Sequence, residues 1–289
     1  KDADADGFID YLCGGNDCDD TRPVINPDGI EVCGNLLDED CSDVLDDRDV
    51  DNDGALADSC LGGTDCDDLD PQTYLGAPEV WDTRDNDCDD FYDEGVVPVG
   101  SVIVTEAQID PLDPGDTLDE YIELTNVSAH PVNLRRWIVF DCGAFAPTCT
   151  GPVANGDFVV IGVELILDPG EVAVFCQTED IDQMTGNGGV PCDFQYFGGM
   201  SLGNTSGDEI ILSLNGDVID RVVWTASDDT SARSLSLGPD KYKSTDNDTI
   251  ANYCDTPATA AFKIGTSSNY GTRGKINPGC AATEPGVAL

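Results

Sequence analysis

Positive charge and imidazole are what this chain has least of. Its 289 residues hold 13 lysines and arginines against 58 aspartates and glutamates, a formal net charge of −45, with 1 histidine and 2 methionines. A surface of that sign repels nucleic acid and anionic membranes, which excludes both as partners. No run of apolar residues approaches the length of a membrane-spanning helix, so membrane insertion is excluded too. Nor does any segment show the apolar period of an amphipathic helix. The lone histidine, His130, sits in an AHP turn and reads as solvated. The chain therefore lacks the imidazoles for a mixed Cys/His zinc site. The serines of SLGNTSGDE have no general base in reach by sequence, which argues against acyl transfer.

What is abundant is aspartate, and it is in phase. Residues 1–95 carry 31 acids against 4 bases and repeat one unit of about 48 residues, 1–47 and then 48–95. Each copy opens on alternating aspartates around a glycine: Asp2, Asp4, Asp6, Gly7 and Asp10, then Asp49, Asp51, Asp53 and Gly54, with Ala57 where Asp10 stood. These are positions 1, 3, 5, 6 and 9 of an EF-hand-like loop, but Cys13 and Cys60 stand where the bidentate glutamate of that loop belongs. Further ligands are expected from Asp17, Asp19 and Asp20, and from Asp65, Asp67 and Asp68. A second loop type follows, with Asp38, Asp40, Ser42 and Asp46 in one copy and Asp85, Asp87, Asp89 and Asp93 in the other. Carboxylates crowded this closely repel unless a hard, oxygen-seeking cation joins them. The spacing predicts about four calcium sites. Large apolar side chains are few here, so ions and disulfides are expected to supply what a small core lacks.

The order DxDxDG, DCDD, PxxExC and DxDNDCDDxxDEG resembles the metal-binding repeat of secreted bacterial proteins, and the aspartate spacing is similar to that of thrombospondin type 3 repeats. Pro78 to Gly95 is the nearer match, whereas copy one departs at LLDEDCSD. The resemblance implies a copper option, since some members bind copper through histidines and a modified tryptophan. Trp81 does fill the slot of Cys33, but His130 lies outside the repeats. Carboxylates suit calcium or magnesium, while copper favours imidazole and sulfur. Calcium is therefore the expected ion, and Trp81 a packing residue.

Thirteen cysteines in such a chain point to an oxidising setting, extracellular or at the cell surface. Their spacing suggests local pairs: Cys13 with Cys18, Cys33 with Cys41, Cys60 with Cys66, Cys142 with Cys149, Cys176 with Cys192 and Cys254 with Cys280. Cys88 is left over, as a buried thiol or an intermolecular bridge. The chain opens with Lys1 directly on an aspartate loop, without a signal peptide, and reads as a processed chain or a segment of a longer one.

After a VVPVG linker (96–100) the pattern changes to strands: SVIVTEAQ, EYIELT, WIVF, DFVVIG, EVAVFC, EIILSL and VIDRVVWT, separated by turns such as LDPG and LNGD. The expected fold class is mostly β, an irregular calcium- and disulfide-stabilised module followed by an antiparallel β-sandwich over 101–280, with a tail at 281–289. The succession VTEA at Glu106, DEYIELTN at Asp119 to Asn126, Trp137, LDPGE, SLGNTSGDEIIL, Ser234-Leu235 and Asn277-Pro278-Gly279 resembles the lamin-tail domain. That resemblance implies an immunoglobulin-like sandwich, and it is interrupted by CGAFAPTCTGPVANG and QTEDIDQMTGNGGVPCD. Trp137 and Trp224 are its expected core anchors. Glu106, Glu120 and Glu123 read as turn caps or ligands of a further cation, not as catalytic carboxylates.

No enzyme is expected. Two functions fit: a calcium-binding structural or adhesive surface protein, whose partners are other copies of itself or matrix components, as in a fibre; or a non-catalytic accessory segment of a larger secreted hydrolase.

Overall fold

The computed structural model describes residues 1–111, 120–142, 157–177, 192–196, 200–203, 207–228, 233–243, 245–257, 261–264, 267–272, 274 and 277. The chain divides into two compact units, Lys1–Val80 with Asp85–Asp90, and Trp81–Arg84 with Phe91–Leu289.

The first unit has almost no regular structure. Its one 3-10 turn, Tyr11–Cys13, is started by Asp10, whose side chain accepts a hydrogen bond from Leu12 N, and is closed by Gly14 at φ 84°. The loops fold because aspartate side chains take backbone N–H groups that a helix or sheet would otherwise satisfy. Asp2 accepts from Ala5 N at 2.6 Å and Gly7 N at 3.2 Å, and Asp49 accepts from Gly54 N at 3.2 Å. Left-handed backbone recurs at matched positions: Ala5 and Asn52, Cys41 and Cys88, Asp43 and Asp90, Asp46 and Asp93. Glycine is required at 15 and 63 by close approach, since a Cβ there would strike the carbonyl oxygens of Ile9 and Ala57.

Three disulfides in this unit overturn the local pairs expected from spacing. Cys18 is bonded to Cys41, Cys66 to Cys88 and Cys33 to Cys60, with Cα separations of 5.7, 6.0 and 4.8 Å. The pairs Cys13–Cys18, Cys33–Cys41 and Cys60–Cys66 do not form. Cys88, expected to be left over, is bonded, while Cys13 is exposed and free. The reason is geometric. Short loops close cheaply, but Tyr11 N donates to Asp17 O and Asp17 N to Ile9 O, which fixes the turn that carries Cys13. Cys18 instead meets the second loop of its own repeat, its N–H lying 3.2 Å from Cys41 Sγ. Two bridges thus staple the loops within a repeat, and Cys33–Cys60 staples one repeat to the next.

The second unit is the β-sandwich. Its strands are β1 (Val102–Gln108), β2 (Tyr121–Asn126), β3 (Val132–Asn133), β4 (Ile138–Phe140), β5 (Phe158–Val160), β6 (Ile166–Leu167), β7 (Val172–Cys176), β8 (Phe194–Gln195), β9 (Asp208–Leu214), β10 (Asp217–Trp224), β11 (Leu235–Leu237), β12 (Tyr253–Asp255), β13 (Ala261–Ile264) and β14 (Ser267–Tyr270). One sheet has the order β12-β11-β1-β2-β7-β8 and the other β10-β9-β4-β5, with two small ribbons, β3-β6 and β13-β14. Among the described strands all pairs are antiparallel except β7 with β8. The seven segments read as strands from the sequence are strands here; the shorter β3, β6, β8 and β11 to β14 are not among them.

Trp137 and Trp224 are buried in the core with Phe175, Ile122, Leu124 and Leu212. Trp81 and Phe91 pack partly buried against the same cluster. Cys176 is joined to Cys192. Cys142 and Cys254 are also disulfide-bonded, while Cys149 and Cys280 lie outside the described residues.

Candidate metal centres

In the first repeat two carboxylate groups share a member: Asp2, Asp4 and Asp6, and Asp4, Asp17 and Asp20. Within each group the ligand oxygens lie within 4.8 Å of one another. In the second repeat Asp49, Asp51 and Asp53 form the equivalent of the first group. Asp65 sits among Asp51, Asp53 and Asp68, whose negative charges, after its own burial, raise its pKa above the usual carboxylate value. Burial likewise raises the pKa of Asp4 and Asp51.

The later loops recruit residues that spacing alone did not single out. Glu31 gathers with Asp38 and Asp40, and Glu79 with Asp85 and Asp87, again within 4.8 Å. Glu31 Oε1 also takes the N–H of Glu39 at 2.5 Å and of Asp40 at 3.2 Å, and Glu79 Oε1 takes those of Asn86 and Asp87 at 2.8 and 3.0 Å. A glutamate at one position in both copies, in PDGIEVC and GAPEVW, was the available signal.

Other expected ligands are engaged elsewhere. Asp10 caps the 3-10 turn. Asp19 accepts from Thr21 Oγ1 and is paired with Arg22, and these contacts hold its carboxyl below the usual range. Ser42 Oγ accepts from Val44 N at 3.2 Å, and Asp46 accepts from Gly34 N at 2.7 Å. Asp68 stays beside Asp65, but one of its oxygens is held by Arg48 at 2.5 Å. Asp89 and Asp67 give their backbone N–H groups to the carboxylates of Asp85 and Asp65, at 3.1 and 2.8 Å, and so order those ligands. Asp93 is fully buried in the second unit, where it accepts from Asp82 N and Thr83 N at 2.7 and 2.9 Å.

Whether a cation fits is tested by what these oxygens lack. Buried oxygens of Asp4, Asp17, Asp49, Asp51, Asp53, Asp65 and Asp87 accept no hydrogen bond, although Asp17 and Asp65 are 0% and 1% exposed. A buried carboxylate oxygen left bare costs several kcal/mol by the order of the desolvation penalty. A bound cation removes that cost. Every donor in these groups is a carboxylate oxygen, which suits a hard ion.

The sandwich glutamates behave differently. Glu106 accepts from Tyr121 OH at 2.7 Å, from Thr272 N and Oγ1 at 2.9 and 2.6 Å, and from Ser234 Oγ. Glu123, its register partner across β1 and β2, accepts from Gly274 N. Together they pin the segment after β14 to the sheet. Glu120 accepts from Leu202 N at 3.0 Å. His130 is exposed, as its turn suggests, but its ring meets that of Trp81 at a tilt of 34° with centroids 4.6 Å apart, a proximity that their distance in sequence gave no sign of.

Compared with known families, residues 97–226 match the Lamin Tail Domain. Residues 17–47 and 65–94 match the family described as Putative metal-binding motif. No curated protein matches the chain. Both repeats thus carry a metal-binding motif, and the sandwich is of the immunoglobulin-like, lamin-tail kind. Strands β11 and β12 lie beyond the matched range yet extend the sheet beside β1. These are non-enzymatic kinds of domain, and the chain reads as a metal-binding protein.

Proposed function

We propose that this chain is a calcium-binding, non-catalytic structural or adhesive module that works outside the cytosol, with the repeats as its ion-dependent part and the sandwich as its contact surface. The observation that carries the reading is the set of buried carboxylate oxygens without hydrogen-bond partners, which recurs at matching positions of the two copies in Asp4 and Asp51 and in Asp17 and Asp65. Calcium is the cation that accepts many carboxylates in irregular loops; magnesium demands a tighter octahedron and keeps its water, and copper prefers nitrogen and sulfur. The bridges Cys18–Cys41, Cys33–Cys60, Cys66–Cys88 and Cys176–Cys192 support an oxidising compartment. No helix among the described residues is long and apolar enough to cross a membrane. The saturated hydrogen bonding of Glu106 speaks for a positioning role and against proton transfer.

Equilibrium dialysis of the chelator-stripped chain against calcium, magnesium and copper(II) tests the proposal. Calcium should bind at several equivalents in the presence of excess magnesium. Binding of copper in preference to calcium would overturn it.

A further inference from the structure

Three aspartates at matching sequence positions act on one another in each repeat, but only the second repeat sets an arginine against one of them. Asp4, Asp17 and Asp20 gather in the first repeat, where Ala3 N donates to Asp20 at 2.7 Å. Asp51, Asp65 and Asp68 are their counterparts in sequence, the charges of Asp51 and Asp68 act on Asp65, and Val50 N donates to Asp68 at 2.9 Å in the matching way. The difference lies at the other oxygen of Asp68, which takes Arg48 Nε at 2.5 Å. Asp68 is nine-tenths buried as a side chain in that pair, and Arg48 is 37% exposed. Arg48 is held in place from its backbone, since Ala57 N donates to Arg48 O at 3.0 Å. Lys1 occupies the same register in the first repeat, yet neither it nor Asp20 makes an ion pair among the described residues. Both clusters also hold a buried aspartate with a bare oxygen, Asp17 in one and Asp65 in the other.

We propose that Arg48 is a built-in cation that weakens the calcium site of the second repeat, so that the site around Asp4, Asp17 and Asp20 fills before the one around Asp51, Asp65 and Asp68. This rests on reading the clusters as calcium sites. A guanidinium on Asp68 competes for one ligand oxygen and repels an incoming divalent ion. At a separation of about 6 Å in a water-like dielectric, that repulsion alone is worth about tenfold in affinity. The two sites thereby respond to different calcium concentrations.

Calorimetric titration of the full, disulfide-intact chain with calcium, after chelator stripping, is the test. Wild type should show a tighter and a weaker class of sites. Asp65→Asn should abolish a weaker site and Asp17→Asn a tighter one. Arg48→Gln should tighten the weaker site about tenfold and leave the tighter class in place, whereas Arg48→Lys should stay within about threefold of wild type. An Arg48→Gln chain with unchanged or weaker affinity would show that Arg48 only positions Asp68, and would sink the proposal while leaving calcium binding intact. Should the substitution prevent folding, the two aspartate variants decide alone: loss of a tighter site in Asp65→Asn overturns the order of filling. Absence of any calcium heat in wild type would remove the underlying reading itself.

Discussion

The two units of this chain bury opposite kinds of atom. In the first, the buried residues are largely polar: Asp17, Glu31, Glu39, Asp65 and Asn86, beside a few small or single apolar groups such as Ile25, Ala57 and Ala77. Large side chains point outward, with Leu61 99% and Leu12 88% exposed. In the sandwich, two tryptophans and rows of valine, isoleucine and leucine fill a continuous core. Burying apolar area is favourable in itself, at about 25 cal/mol per Å². Burying carboxylates is favourable only with a partner: backbone N–H groups serve Glu31 and Glu39, whereas one oxygen each of Asp17 and Asp65 accepts no hydrogen bond. One fold is complete in its own covalent chain; the other is stapled by disulfides and, on the proposed reading, completed by ions.

The largest expected effect is chelation. At calcium a hundredfold above its dissociation constant, each site that binds only the folded form adds about 2.7 kcal/mol. Removing several sites should melt the first unit while the sandwich keeps its transition. All three tryptophans, Trp81, Trp137 and Trp224, belong to the second unit. Tryptophan fluorescence therefore follows the sandwich, and calorimetry follows both. A single transition that ignores chelator would erase the distinction between the units.

Trp137→Ala cuts the comparison from the other side. The side chain is fully buried, and its loss should destabilise the sandwich by about 3–5 kcal/mol. The calcium-dependent transition should keep its midpoint. A shift of both transitions together would mean that the units fold as one.

Replacing both Cys66 and Cys88 by alanine opens a loop of separation 22 and should lower the stability of the first unit by about 3 kcal/mol. The loss should be felt most at low calcium, where ions no longer hold the loops. Non-reducing peptide mapping should recover Cys18–Cys41 and Cys66–Cys88, with Cys13 open to a thiol reagent.

The smallest effect concerns Asp220, which burial pushes up to about 6. It accepts from Val104 N at 2.8 Å and from Asn247 Nδ2. Its folded pKa lies above its unfolded one, so its contribution to stability is full below about pH 4 and is lost as pH rises through about 6. The window is worth about 2–3 kcal/mol, since each tenfold change in the proton equilibrium carries about 1.4 kcal/mol. Asp220→Asn gives up one acceptor and starts less stable. Its deficit against wild type, followed by tryptophan fluorescence at fixed calcium, should shrink between pH 4 and 7. A constant deficit would show that the carboxyl is ionised throughout.

Sequence alone determined whatever depends on neighbours along the chain. Alternating aspartates with Gly7 and Gly54 announce an oxygen-lined loop, because side chain and backbone there interact within a few residues. Alternating or continuous β-branched and apolar runs announce strands such as β1, β2 and β9, because a strand's two faces follow a period of two and a strand covered on both faces is apolar throughout. Tertiary structure decided everything that joins distant segments. Cys18 meets Cys41 and not Cys13, because rigid turns outweigh short loop closure. Glu31 and Glu79 enter the carboxylate groups while Asp10 and Asp19 are drawn away to a cap and an arginine. His130 reaches Trp81, and Glu106 and Glu123 secure the segment at Thr272 and Gly274. A carboxylate's role is set by the charges and N–H groups that surround it in space, and those come from parts of the chain that its own spacing does not encode.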